Sequence, residues 1–257
     1  MDFTFWQYAA ICALVALAGF VDSIAGGGGL ISLPAYFAIG LPPHAALATN
    51  KFSSVCGTFT SVIRYWRAGA VRVRVGLFAA GGALAGSAAG AKLALLVSAG
   101  AINTFMLVLV PAVLVFFLAK DRIPMGAVES RRAVSDSGMC AASLCIGAVI
   151  GAYDGFFGPG TGTFLAIAFS AFLGFDLLTA SANARLANLA SNMGAVVVFL
   201  AGGRVLFPLA LYAAGAGVAG NLLGSFLAVK KGERIIRPLM VVVLIMLLAE
   251  VLRRRWG

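Results

Sequence analysis

Apolar residues come in blocks along this chain, broken by glycine, proline or short basic stretches. The blocks cover roughly 5–24, 28–40, 45–66, 75–97 and 100–119, and then 138–155, 160–174, 179–201, 205–229 and 235–252. Most approach the roughly 20 residues a helix needs to cross the hydrocarbon core of a bilayer. Between the two sets lies a polar stretch from Lys120-Asp121-Arg122 through Arg131-Arg132 to Asp136. The pattern predicts an all-α polytopic membrane protein: a first repeat over 1–119, a charged cytoplasmic linker over 120–137 and a second repeat over 138–257.

Residue matches support duplication. Gly19-Phe20-Val21-Asp22-Ser23 lies beside Gly151-Ala152-Tyr153-Asp154-Gly155, and each Asp stands four residues before a glycine-rich break. Asn50 falls opposite Asn183, and Lys51 opposite Arg185 if one gap is allowed. Leu77 to Gly81 matches Leu211 to Gly215, after which Gly86/Gly90 and Gly220/Gly224 share a register. Glycines four apart let another helix backbone approach closely where lipid gives little drive for association. These ridges therefore read as helix packing, between the halves.

Two segments are too short to span. Residues 28–40 and 160–174 follow Gly26-Gly27-Gly28-Gly29 and Gly158-Pro159-Gly160-Thr161-Gly162. Short, glycine-interrupted segments at matching places in two halves mark a transporter's binding site. Irregular backbone must be buried in protein or line a wet cavity, and a helix that starts there offers free N–H groups and a positive dipole end to an anion. The glycine run lacks the GK[ST] ending of a P-loop and the strand of a dinucleotide-binding unit.

Charged residues inside apolar segments are functional candidates. Asp22 and Asp154 either cap a half-helix, pair with a buried cation or carry a coupling proton. Lys51 and Arg185 either answer the charge of an anion or pair with those carboxylates; for Lys51 the plainer reading is a side chain reaching to the interface. Asn188 and Asn192 continue a polar stripe from Arg185 along one helix face.

Composition narrows the class. The chain of 257 residues is 61% hydrophobic and 11% charged, against about a quarter charged in soluble domains. Its net charge of +10 sits in short loops, which points to the membrane surface and excludes nucleic acid as a partner. Arg64, Arg67, Arg72 and Arg74 form one basic loop, and Lys230, Lys231, Arg234 and Arg237 another. Placing both in the cytoplasm gives inverted halves, although Arg253-Arg254-Arg255 then falls outside; if the short segments re-enter instead of crossing, four spans per half place that tail inside and the second basic loop outside. Met1 to Trp6 lacks the basic leader of a removable signal peptide, so a retained first helix is expected. Cys12, Cys56, Cys140 and Cys145 read as free thiols, and His44 as a residue at the start of a helix. No metal site, cofactor or catalytic residue is expected.

The stretches Phe20-Val21-Asp22-Ser23-Ile24-Ala25-Gly26-Gly27-Gly28-Gly29-Leu30 and Ala46-Leu47-Ala48-Thr49-Asn50-Lys51 closely resemble the first-half signature of the TauE/SafE family. These are sulfite exporters, also called toluene sulfonate uptake permeases. Gly155-Phe156-Phe157-Gly158-Pro159-Gly160-Thr161-Gly162 is similar to the second-half signature. The resemblance implies a multi-pass secondary transporter of the bacterial inner membrane that moves sulfite, sulfonates or other organosulfur or carboxylate anions, with protons as the candidate coupling ion. It carries the family's motifs onto Asp22, Ser23, Gly26, Gly27, Gly28, Gly29, Thr49, Asn50 and Lys51, and onto Asp154, Gly158, Gly160, Thr161 and Gly162. Asn183, Arg185, Asn188 and Asn192 complete the expected substrate site. A passive anion channel and an intramembrane aspartyl protease are the rival readings. The expected partners are the anion, the bilayer and protons, and a homo-oligomer is allowed.

Overall fold

The computed structural model describes residues 3–98 and 136–236, together with 238, 239 and 242. The expected span over 100–119, almost all of the linker over 120–137, most of the span over 235–252 and the Arg253–Arg255 tail lie outside the described residues. Eight helices account for most of the rest: α1 Phe5–Ala25, α2 Gly29–Ala38, α3 Pro43–Arg67, α4 Val73–Leu96, α5 Asp136–Phe156, α6 Thr161–Leu173, α7 Leu177–Ala201 and α8 Phe207–Lys231. No strand occurs among the described residues. Helices α1, α4, α5, α7 and α8 are long and apolar enough to cross a bilayer. Helix α3 is as long as α7, 25 residues each, but more polar. Helices α2 and α6 have 10 and 13 residues and stay short of a span.

Local chemistry sets the helix ends. The Thr4 side chain caps α1 and Gln7 reaches back in a capping box. Asp176 accepts from the amides of Leu178 and Thr179 at the start of α7. α1 stops at Gly26, whose φ of 92° is a left-handed conformation that favours glycine. Pro42 and Pro43 start α3 where the missing N–H costs nothing. His44, one residue further on, holds the far end of α4, with Nε2 at 3.0 Å from the Ala94 carbonyl and 3.2 Å from that of Val97.

The first long helix of each half packs on the fourth helix of the other, α1 on α8 and α5 on α4, and does so through glycine. A Cβ at Gly82, Gly86 or Gly90 would overlap the carbonyl oxygens of Leu144, Ala148 and Ala152 in turn. From the other side, Gly147, Gly151 and Gly155 lie as tightly on Ala79, Ala83 and Ser87. Gly220 and Gly224 likewise abut the carbonyls of Ala16 and Phe20. The ridges thus carry the contact between halves, with dispersion between closely packed backbones supplying the attraction. Matched positions rise together in both contacts, so α4 runs parallel to α5 and α1 to α8.

Candidate functional site

Helices α3 and α7 put their charges at the same height. Lys51 follows Pro43 by the same eight residues that separate Arg185 from Leu177. With no gap needed, Asn183 corresponds to Thr49, and Asn50 to Ala184. Counted from the helix starts, this register differs by one residue from the Asn50–Asn183 match expected from the sequence. The same register pairs Ser54 with Asn188 and Thr58 with Asn192. Each half therefore carries a cation followed at three and seven residues by polar side chains.

The charges pair across the halves. Lys51 Nζ lies 2.7 Å from Asp154 Oδ1, with both side chains buried. Arg185 donates from one guanidinium nitrogen to Asp22 Oδ2 at 2.8 Å and to the Asp22 carbonyl at 2.7 Å. Each carboxylate closes the first helix of one half, and each cation stands on the third helix of the other. Four charges below or beside an apolar shell would be costly alone, and the crossing compensates them. Asp154 also accepts from the hydroxyls of Thr161 at 2.7 Å and Ser191 at 2.5 Å. Asp22 Oδ1 accepts from the Gly28 amide at 3.1 Å, at the start of α2.

The two glycine breaks meet at these pairs. Thr163 donates to the Ala25 carbonyl at 2.6 Å, tying the start of α6 to the end of α1. Gly26 and Gly162 lie back to back, and a Cβ on either would collide with the Arg185 guanidinium. Gly29 faces Pro159, where a Cβ would come within 3.2 Å. Gly158, at φ 97°, leaves the space through which Lys51 reaches Asp154.

Beside this junction is a cavity of about 40 Å³, measured as the space open to the centre of a water molecule. One water needs roughly 10–15 Å³ on that measure, so the cavity has room for several waters or one small ion. Of the expected site residues, Gly26, Gly28, Gly29, Asn50, Lys51, Gly158, Asn188 and Asn192 line it, with Asp22 and Asp154. The rest are elsewhere. Gly160, Thr161 and Gly162 begin α6 behind Asp154 and Arg185, and Arg185 itself sits between the breaks. Ser23 bonds the Phe20 carbonyl at 3.0 Å, Thr49 accepts from the Leu206 amide at 3.3 Å, and Asn183 donates to Thr179 at 2.8 Å beside Gly76. Gly27 accepts from the Leu30 amide at 3.0 Å and is not part of the lining.

Sequence reasoning missed Ser32, Ser53, Ser54, Thr58 and Asn221 on the cavity wall. Ser32 donates to Asn50 at 2.6 Å. Asn221 fits between α1 and α3 only because Gly19 and Gly57 leave room, and its Oδ1 and the Thr58 hydroxyl are buried without a protein partner. The signal for Ser54 and Thr58 was their spacing from Lys51, the same as that of Asn188 and Asn192 from Arg185. Buried amides and hydroxyls lacking a partner are rare and costly unless water or a ligand completes them.

The sequence model of the sulfite exporter TauE/SafE family matches residues 11–251. The chain is 37% identical to the probable membrane transporter protein ORF9 of Sinorhizobium sp, over 98% of this chain and 94% of that one. It is 36% identical to the probable membrane transporter protein YfcA of Escherichia coli K12, over 92% and 86%. A probable membrane transporter protein of Haemophilus influenzae is 33% identical over 91% and 90%. No solved structure matches. With its apolar helices, paired glycine breaks and buried crossing charges, this multi-pass membrane transporter belongs to the TauE/SafE sulfite exporter family.

Proposed function

We propose that the chain moves a small organosulfur or carboxylate anion across the bacterial inner membrane by alternating access, bound in the polar cavity against Lys51 and coupled to protons. The observation that carries this is a buried lysine whose carboxylate partner comes from the other half, at the wall of a cavity rich in amides and hydroxyls. An anion can take the place of that carboxylate, and neutral donors can complete its coordination. The start of α2 adds a positive dipole end, since Gly28 and Gly29 line the cavity. Relatives from bacteria and the family's description as sulfite exporters support the class of cargo and the membrane.

Inverted halves fit the same reading. His44 at the start of α3 meets the end of α4, so those two run oppositely. Gly194 of α7 abuts Leu84 of α4, and Asn183 meets Gly76, so those run alike. Helices α1, α3 and α8 then point one way and α4, α5 and α7 the other. Both basic loops consequently share one end: Arg64 and Lys230 sit 5.2 and 5.9 Å from the same Phe226 ring. By the positive-inside rule that end is cytoplasmic.

The test is a thermal-shift titration of purified protein with sulfite, methanesulfonate and acetate. A ligand of the native state at a hundred times its Kd adds about 2.7 kcal/mol of apparent stability. At least one anion should raise the melting temperature, and Lys51→Gln should abolish that rise. No shift with any of the three, or an undiminished shift in Lys51→Gln, overturns the proposal.

A further inference from the structure

The two ion pairs correspond by register, yet their surroundings differ. Lys51 and Asp154 both line the cavity, whereas of the other pair only Asp22 does. The Arg185 guanidinium is wedged between Gly26 and Gly162 and also holds the Asp22 carbonyl. A guanidinium does not lose its proton in proteins.

We propose that Asp154 is the proton carrier: each monovalent anion enters the cavity together with one proton taken up on Asp154, while Arg185–Asp22 stays ionised as a fixed clamp between the halves. This rests on the cavity being the anion site.

Charge balance is the first argument. Lys51 and Asp154 neutralise each other in this structure. An anion alone would leave that buried region with one negative charge and no cation to answer it, which is strongly unfavourable. A proton on Asp154 breaks the ion pair, keeps the total unchanged and turns the Lys51 ammonium toward the anion. The proton comes from water and Lys51 keeps its own, so no other bond changes.

The hydrogen bonds around Asp154 suit both states. Thr161 has one hydroxyl proton and two acceptors at 2.7 Å, Asp154 Oδ1 and the Gly158 carbonyl. When Asp154 is protonated, Thr161 can donate to Gly158, and the new carboxyl proton can go to Ser191 Oγ, 2.5 Å from Oδ2. The Thr161 hydroxyl therefore keeps an acceptor in both states. The charged neighbours are few. Lys51 comes from α3, Asp22 is near enough to act on Lys51 electrostatically, and Arg185 of α7 is bound to Asp22. Tyr153, on the same helix as Asp154, donates to the Pro159 carbonyl at 2.6 Å. Helix α6 has no ionisable side chain, and Lys92 of α4 is exposed.

The experiment titrates purified protein in weakly buffered detergent with sulfite, methanesulfonate and acetate, reading bound anion and pH together after subtracting each anion's own titration. The expected result is about one proton taken up per anion, with affinity falling about tenfold per pH unit once Asp154 is ionised in the free protein. Asp154→Asn should bind the anion without proton uptake and with a flat pH profile. Asp136→Asn, in an exposed pair 3.6 Å from Arg74, should keep the uptake. If Asp154→Asn does not fold, the wild-type proton count decides, together with a protonated-carboxyl infrared band on anion binding that Asp154→Glu displaces. Binding without proton uptake, or uptake that persists in Asp154→Asn, overturns the assignment and leaves the anion site standing. Absence of binding by every anion removes both.

Discussion

Lys51, Asp154, Asp22 and Arg185 owe their stability in an apolar interior to one another, and that mutual dependence can be measured. Removing one member of a buried pair leaves an uncompensated charge and costs about 3–5 kcal/mol, while replacing both by apolar groups of similar size is often neutral. Lys51→Met should therefore lower unfolding stability in detergent by about that much, and Lys51→Met with Asp154→Leu should recover most of the loss. The recovery will fall short to the extent that Ser191 and Thr161 lose their acceptor. A double-mutant cycle with purely additive effects would show that the pair contributes nothing as a pair. Asn221 and Thr58 show the opposite condition, polar atoms kept buried without a protein partner.

At the scale of helices, the ridges between halves are defined by glycines that face a carbonyl and glycines that do not. Gly81 and Gly82 are neighbours in α4, but a Cβ at Gly81 meets nothing within 4 Å, whereas one at Gly82 would overlap the Leu144 carbonyl. Gly81→Ala should fall within about 0.5 kcal/mol of wild type, as surface substitutions do. Gly82→Val should instead force α4 and α5 apart and reduce the yield of monodisperse protein on size exclusion. Equal behaviour of the two variants would mean that the close approach is not required. The short helices follow different rules: each begins just after a break, and Gly26 and Gly158 in those breaks adopt the left-handed conformations that let the chain turn there.

At the scale of the whole molecule, the cavity is one-sided although the halves correspond. Its walls come from α1, α2, α3 and α8 with the stripe of α7, and from Asp154 of α5 and Gly158 just past its end, while no residue of α4 lines it. The shared end of the two basic loops makes a direct prediction. In a cysteine-free background, single cysteines at Ala68 and Lys231, both exposed at the ends of α3 and α8, should react with an impermeant maleimide from the same side of sealed vesicles. Labelling from opposite sides would reject the inverted arrangement.

Within the described residues, the helix positions, the short broken segments, the glycine ridges as packing surfaces and the charged residues inside apolar segments were legible from the sequence alone. Each is written in local chemistry: hydropathy over a span, a glycine that permits a break, an Asp before it. The resemblance in Gly26 to Gly29 and in Asn50-Lys51 pointed to the family for the same reason. Only the tertiary structure decided which carboxylate meets which cation, since Asp22 and Arg185 are 163 residues apart and nothing local encodes their encounter. It also decided that Lys51 faces the cavity while Arg185 is walled off, and that Thr49 and Asn183 serve helix contacts instead. A residue type sets what a side chain can bind; the packing of helices across two halves sets what it reaches.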